Sequence, residues 1–380
     1  MEQTTILREG LVGGVSPSWP KKRTGGEDKS LRVSVIVVTY NAWEALAACL
    51  RSLTEQERPP DEVVVVDNAS RDGTPELLGR HFPWVTRIDL GRNVGFAAGN
   101  NRGLQAASGD AVVLLNNDTV AEPFAVARLV EPLEVDPTVG AVAATMVFAS
   151  APDIVASAGI DVYRNGLALD RLLGARRAEL NGSQDVFGPS GGAAAYRRSA
   201  LDACGFFPAD YFMYLEDVDL AWRLRLHGWR AVHAPDAVVT HAYSASAGEG
   251  SPLKRWLLAR NRVWLLARCF PTTLARRHFA SIIRYDASAA AYAFARGDSA
   301  WLRGRMAGLR RLGTRLAERR AIQGAGSSSG SAPADLAAWL RPPPSYAQLL
   351  RWRQLTASLA GPDVCEGTYV RETEAAPGPL

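Results

Sequence analysis

Four short runs of Val, Ile and Leu mark the first third of the chain: VSVIVV at 33–38, EVVVVD at 62–67, VTRIDL at 85–90 and AVVLLN at 111–116. Several are apolar without alternation, the pattern of strands covered on both faces. Between the first two, WEALAACLRSL sets Trp43, Leu46, Leu50 and Leu53 on one helical stripe, and FAAGNNRGLQAA predicts another helix before the fourth run. Strand and helix alternate, which predicts an α/β fold with a mainly parallel sheet. After residue 140 the alternation weakens, and Gly, Ala and isolated aromatics take over until Tyr211. Then Leu215, Val218, Trp222 and Leu226 keep helical spacing, with Gly228 where a C-terminal cap belongs. Residues 253–320 read as a series of Arg-rich helices carrying Trp256, Leu257, Trp264, Leu265, Phe279, Ile282 and Trp301.

Composition turns this pattern into an organisation. Residues 1–30 are too polar and too rich in Gly and Pro to pack. The α/β domain is expected over 31–250 and an Arg-rich helical region over 251–322. The stretch 323–380 reads as a linker, GAGSSSGSAPA, followed by a loosely ordered tail with one short helix. No segment reaches the roughly 18 apolar residues of a membrane span. The N-terminus lacks the apolar stretch of a secretion signal, so a cytoplasmic location is expected. Cys49, Cys204, Cys269 and Cys365 are scattered and read as reduced thiols.

Charge is uneven. The net charge is +4, yet Lys254 to Arg320 holds 16 Lys and Arg against three acids. Nucleic acid is not expected as a partner, because no recognition motif accompanies the basic residues. Two readings stay open: a helical appendage packed on the α/β domain, and helices lying on an anionic bilayer.

Ligands of open α/β sheets bind beyond the carboxyl ends of the strands. Here those ends read Thr39-Tyr40-Asn41, Asp67-Asn68-Ala69-Ser70, Gly91-Arg92-Asn93-Val94-Gly95 and Asn116-Asn117-Asp118-Thr119. Any one could be a turn or a helix cap. Four together could surround a nucleotide. Farther on, Glu216, Asp217 and Asp219 open the helix that Val218 and Trp222 define, where acids either serve chemistry or simply complement the helix dipole.

VSVIVVTYNAWEALAACLRSL, VVVVDNASRDGT, NVGFAAGNNRG, VVLLNNDT, GPSGGAAAYRRSAL, YFMYLEDVDLAWRLRLHGW and APDAVVTH, in this order and spacing, resemble family 2 glycosyltransferases of the GT-A fold, in particular their rhamnosyltransferase-like branch. The resemblance runs from Val33 to His241 and more weakly to ARNR at 259–262. It implies a GT-A type, mainly parallel sheet flanked by helices, with a C-terminal helical appendage. It implies an inverting enzyme that moves one sugar from a nucleotide-diphosphate sugar, dTDP- or UDP-linked, to a hydroxyl of a glycan or lipid-linked acceptor in cell-surface polysaccharide synthesis. Carried over, Thr39, Asp67, Asn93 and Asn117 fall at the nucleotide, and Asp118 with His241 at a Mg²⁺ or Mn²⁺ ion. Asp217 falls at the general base with Glu216 beside it, and Gly191, Gly192 and Ala193 on the acceptor side. Asp219 is expected to brace the site by pairing with an arginine. Asn116 departs from the family's D-x-D motif, replacing its first carboxylate by an amide.

Three rivals stand against this. A non-catalytic nucleotide-sugar-binding or membrane-scaffold protein with a decayed site would account for Asn116, but not for Asp118, Asp217 and His241 together. A nucleotidyltransferase would need a Gly-rich activation loop ending in Lys or Arg, which is missing, and TYNAW after the first strand replaces the G-x-G-x-x-G of a dinucleotide binder.

Overall fold

A computed structural model of the chain describes residues 30–242, 251–328 and 336–359. The N-terminal tail, the middle of the Gly/Ser linker and Cys365 lie outside the described residues. The first part alternates as the pattern predicts: β1 (Val33–Thr39), α1 (Trp43–Thr54), β2 (Glu62–Asp67), α2 (Thr74–His81), β3 (Thr86–Asp89), α3 (Gly95–Ala106) and β4 (Ala111–Asn116). There follow β5 (Thr119–Ala121), α4 (Ala125–Val135), β6 (Val139–Phe148), β7 (Ala151–Ser157), β8 (Ile160–Tyr163), β9 (Ala168–Asp170), β10 (Gln184–Asp185), β11 (Ala193–Arg197), α5 (Arg198–Cys204), α6 (Glu216–Leu226) and β12 (Arg230–His241). The C-terminal elements are α7 (Pro252–Arg268), α8 (Thr272–Arg277), α9 (Phe279–Ala295), α10 (Ser299–Arg310), α11 (Leu312–Ser328), a 3₁₀ turn (Leu336–Trp339), β13 (Leu340–Arg341) and α12 (Tyr346–Leu359).

The main sheet runs β10-β12-β6-β11-β4-β1-β2-β3, with β5 on β12 and β7 on β6. The β4-β1-β2-β3 half is parallel throughout. The other half is mixed: β11 is antiparallel to β4 and β6, while β12 runs parallel to β6. Strands β6 to β11 are what the weakened alternation after residue 140 conceals; β6 is buried at all ten positions, so no polar face betrays its period.

Both faces of the sheet are covered. Val33, Val35 and Val37 of β1 pack with Leu46, Leu50 and Leu53 of α1 and Leu129 and Leu133 of α4, whereas Ile36 joins Leu104 of α3 and Leu220 and Leu224 of α6 on the other side. That division explains the unalternating apolar runs. A Cβ on Gly103 would lie 2.4 Å from Ile36 Cγ2, so this helical glycine lets α3 lie close on β1. Gly99 does the same against Val38. These two glycines serve helix–sheet contact.

The Arg-rich helices pack on the α/β part. Trp222 of α6 meets Phe187 and Phe270 edge-on, with Leu265 and Leu274 in the same cluster. Many of the arginines are structural: Arg260 lies between Trp256 and Trp264, at 4.5 and 4.3 Å from the ring centroids, and Arg315 also stacks on the Trp264 ring, at 4.3 Å. Arg262 and Arg305 both bind Asp286, at 2.9 and 3.2 Å, and Arg268 binds Asp219 at 2.8 Å and Glu318 at 2.6 Å. Much of the local positive excess is therefore answered inside the fold, which favours packing for α7 and α11.

The segment 336–359, read from composition as part of a loosely ordered tail, is folded against the α/β part. β13 pairs with β8 in a small second sheet, Leu336 and Leu340 are buried, and Arg225 stacks on Trp339 at 4.3 Å. Leu336 and Leu340 join a cluster with Ile160, Trp222 and Phe270, far away in sequence, which a local pattern cannot register. Cys49, Cys204 and Cys269 are free thiols, and no helix among the described residues is long and apolar enough to cross a membrane.

Candidate active site

The sheet topology joins residues far apart in sequence. After β4 the chain turns through Asn117 and Asp118 into β5, which pairs with the end of β12, setting Thr119 opposite His241. Ala242 N–H donates to the Asp118 carbonyl at 3.1 Å and closes the turn. His241 Nε2 consequently lies 3.1 Å from Asp118 Oδ1, both side chains nearly buried, and 3.3 Å from Asn116 Nδ2. Burial works against charge on both groups. Their mutual attraction outweighs it, holding the Asp118 carboxyl below its ordinary pKa and the His241 ring above its own.

The second cluster opens α6. Phe212, Tyr214 and Leu215 have φ of 65°, 71° and 67°, a left-handed run of non-glycine residues that delivers Glu216 and Asp217 at the helix start. Asn261 of α7, fully buried, holds this loop: its Nδ2 donates to the carbonyls of Tyr211, Met213 and Tyr214 at 3.1, 2.9 and 2.7 Å. Arg260 adds bonds to the carbonyls of Asp210 and Tyr211. The Asp217 carboxylate is fixed by two backbone donors, Gly191 N–H at 2.9 Å and Val218 N–H at 2.7 Å. Burial still pushes it above the ordinary carboxylate value. Burial, and then the neighbouring Asp217 charge, push Glu216 well above its own, and Glu216 Oε2 is buried with no hydrogen-bond partner. Asp219 points away from the pair into a sealed network, bonded to Arg223 Nε at 2.7 Å and to Tyr211 OH at 3.2 Å. That is the bracing pair with an arginine which the sequence suggests.

Thr39 ends β1 and accepts a hydrogen bond from Asn117 Nδ2 at 3.1 Å. Asp67 is its register partner on β2. One Asp67 oxygen accepts from Ser70 N–H at 3.0 Å; the other, Oδ1, is buried without a partner. Burial raises the Asp67 pKa.

One open cleft of about 480 Å³ gathers Thr39, Asn117, Asp118, His241, Glu216, Asp217, Gly191 and Gly192. A Cβ on Gly192 would sit 2.7 Å from Met146 Cε, so glycine leaves room for the tip of the Met146 side chain at that wall. Three expected site residues stand off the cleft lining. Asn93 turns its side-chain oxygen to Gly95 N–H at 2.9 Å, capping the loop into α3, while Asn68 clamps the same loop through Val94 N–H and the Gly95 carbonyl, both at 3.2 Å. Ala193 is a buried β11 residue opposite Leu115, inside the sheet rather than on its rim. Asp67 reaches the cleft only through its neighbours Thr39 and Asn68, which line it.

The lining also includes residues that sequence reading missed. Asp170, at the end of β9, is pushed up to about 6 by burial and then by the Asp217 charge, against a Ser157 hydroxyl bond. Nothing in ALDRLL marks it, since the hairpin that carries it has no clean period. Lys254, in the first turn of α7, lines the cleft with its Nζ 5.5 Å from the Tyr214 ring centroid. Trp352, Arg353 and Thr356 arrive from α12. The pattern PLKRW could have suggested a helix start with a cation, since Ser251 caps α7 by accepting from Lys254 N–H at 3.2 Å.

Among the described residues no three His, Cys, Asp or Glu side chains cluster as a self-sufficient metal cage. The Asp118–His241 pair fits a different kind of site: one carboxylate oxygen and one imidazole nitrogen at the rim of a cleft, with the remaining positions of a Mg²⁺ or Mn²⁺ ion left to a ligand's phosphates. Asn116 contributes an amide where a carboxylate would strengthen that set.

A half-parallel sheet between helical layers, with an acidic cleft at the strand ends, is the GT-A fold. The profile of Glycosyl transferase family 2 matches residues 34–205. The chain is 32% identical to N-acetylglucosaminyl-diphospho-decaprenol L-rhamnosyltransferase of Mycobacterium tuberculosis, over 56% of this chain and 77% of that protein. It belongs to glycosyl transferase family 2 and is rhamnosyltransferase-like within it. It is also 26% identical to poly-beta-1,6-N-acetyl-D-glucosamine synthase of Staphylococcus aureus, spanning 57% of this chain and 52% of that one. Among solved structures, S. aureus TarS 1-349 superimposes with a TM-score of 0.50 at 16% identity, over 86% of this chain and 90% of that one.

Proposed function

We propose that the protein is an inverting glycosyltransferase that moves a single sugar, a hexose or deoxyhexose, from a dTDP- or UDP-linked donor to a hydroxyl of a glycan carried on a lipid diphosphate. The observation that carries this reading is the meeting of the Asp118–His241 pair with the Glu216–Asp217 pair in one cleft. Thr39 and Asn117 would take the nucleoside, and Asp118 and His241 would hold Mg²⁺ or Mn²⁺ with the donor diphosphate. Bound there, the metal supplies Lewis-acid neutralisation of the departing diphosphate.

In the transfer step the acceptor oxygen attacks the anomeric carbon, its bond to the diphosphate oxygen breaks, and Asp217 takes the hydroxyl proton. The two N–H bonds that fix the carboxylate orient it for that task, and its raised pKa makes it a better base than a solvated aspartate. Gly191 and Gly192 give the acceptor sugar room beside it. The rhamnosyltransferase likeness and its lipid-diphosphate name support the acceptor class. The test is incubation with dTDP-rhamnose, UDP-glucose and UDP-N-acetylglucosamine and a lipid-diphosphate-linked sugar, scored by product mass and anomeric configuration. A retained configuration, or no product with any donor, would overturn the reading.

Asp118→Ala is expected to abolish the Mn²⁺-dependent part of donor affinity, and Asn116→Asp to strengthen it by restoring a carboxylate. Calorimetry with Mn²⁺ and with chelator measures both; equal donor affinity of the wild-type protein under the two conditions would contradict them.

The reading includes peripheral contact with an anionic membrane on its cytoplasmic side. It is supported by α9 and α10, where Phe279, Ile283, Phe294, Met306 and Leu309 are exposed, with Arg303 and Arg310 exposed on α10 as well. Co-sedimentation with phosphatidylglycerol vesicles is expected at low salt, to weaken as salt rises, and to be absent with phosphatidylcholine, since exposed charges are screened beyond a Debye length of about 8 Å. Pelleting insensitive to lipid charge would exclude this contact.

A further inference from the structure

A second and larger cavity, about 980 Å³, lies between α9, the start of α10 and the segment from Pro343 to Arg353. Among the described residues its lining holds four arginines, Arg255, Arg284, Arg296 and Arg353, against one carboxylate, Asp298. Asp298 is already bound to Arg255 at 3.0 Å and caps α10. The walls are amphipathic: Tyr292 and Tyr346 meet edge-on at 6.4 Å, and Trp301 stands beside them. Leu349 and Arg353, one turn apart on α12, line both this cavity and the candidate active site, so the two spaces adjoin. The helix that forms the far wall, α9, also carries the exposed Phe279, Ile283 and Phe294.

We propose that this cavity is the subsite for the diphosphate of the lipid-linked acceptor. A ligand with a sugar at one end, a doubly charged anion in the middle and an apolar tail matches the sequence of acidic cleft, arginine-lined cavity and apolar helix face. Guanidinium groups bind phosphate through paired, charge-assisted hydrogen bonds, and the aromatic rings take the first part of an isoprenoid chain. The donor diphosphate has its own place at Asp118 and His241, so these arginines answer a different anion. The inference rests on the acceptor class proposed above and adds where that acceptor is gripped.

The test uses the full chain, geranyl diphosphate as probe and a saturating mixture of UDP and dTDP to fill the donor end. Isothermal calorimetry is expected to show that Arg284→Gln/Arg296→Gln weakens geranyl diphosphate at least tenfold while nucleotide affinity stays unchanged. Geraniol should bind neither protein. Both arginines are exposed, so the wild-type melting temperature should persist. In transfer assays the double variant should raise KM for a lipid-diphosphate-linked sugar at least tenfold and leave KM for the same sugar as a simple alkyl glycoside unchanged. Equal affinity of wild type and variant for geranyl diphosphate would overturn the proposal. So would a variant that loses phosphatidylglycerol vesicles but keeps geranyl diphosphate, since the arginines would then serve a bilayer headgroup. Absence of nucleotide binding or of transfer in the wild type would instead overturn the enzymatic reading and leave the geranyl diphosphate result to stand by itself.

Discussion

Asp217→Asn is expected to lower kcat for sugar transfer on the order of 10³-fold while leaving donor affinity within about twofold, because the amide keeps the volume and one acceptor oxygen but cannot take a proton. Gly191 N–H meets Asp217 Oδ2 and Val218 N–H meets Oδ1, so the amide oxygen keeps one of these bonds and the other is given up. The pH profile carries the same information. Burial raises the pKa of both Glu216 and Asp217, so the ionised base accumulates only above the ordinary carboxylate range. Wild-type kcat/KM should therefore rise with pH through an acid limb displaced upward, belonging to the pair rather than to either residue. Asn at 217 removes the base and should flatten that limb. Transfer by the variant within tenfold of wild type, about 1.4 kcal/mol in barrier, would dismiss Asp217 from the role.

Asn261→Leu is expected to destabilise the protein by about 3 kcal/mol and to cost on the order of 10²-fold in kcat, although Asn261 does not line the cleft. Its amide hydrogens satisfy three carbonyls in a loop whose left-handed residues Phe212, Tyr214 and Leu215 would each relax if released. Relaxation would carry Glu216 and Asp217 with it. Asn261→Asp should be worse than Leu, because a carboxylate would face the carbonyls it replaced a donor for. Urea midpoints and kcat measured on all three proteins check the order; an Asp variant as stable as wild type would show that the loop holds itself.

What the sequence made legible was local. Most of the parallel half of the sheet could be read because β1, β2 and β4 carry contiguous apolar runs with polar residues at their carboxyl ends, and Leu46, Leu50 and Leu53 sit on one stripe because α1 has a single buried face. Asp118 could be paired with His241 only through a family likeness, since nothing between residues 119 and 240 signals that β5 and β12 meet. Asn93 and Ala193 stand off the cleft lining for one reason. A residue beside a strand end can face the loop or the sheet interior as easily as the cleft, and no period distinguishes these. Asp170, Lys254 and Arg353 were missed because each comes from an element whose placement depends on contacts across the whole chain. The Arg-rich helices carried the opposite lesson. Charge counting suggests a surface, whereas Arg260, Arg262 and Arg315 are largely buried against rings and carboxylates.

The cleft is lined from Thr39 at one end of the described chain to Thr356 near the other. Chains emerge from the ribosome N-terminus first and fold unit by unit, so the β1–β4 half can form while the helices that complete the cleft are still being made. A nascent chain stalled before α12 would already present Thr39, Asp118 and Asp217 yet lack the wall that Trp352 and Thr356 provide. The cleft is thus completed only once α12 has been made, after every other element that lines it.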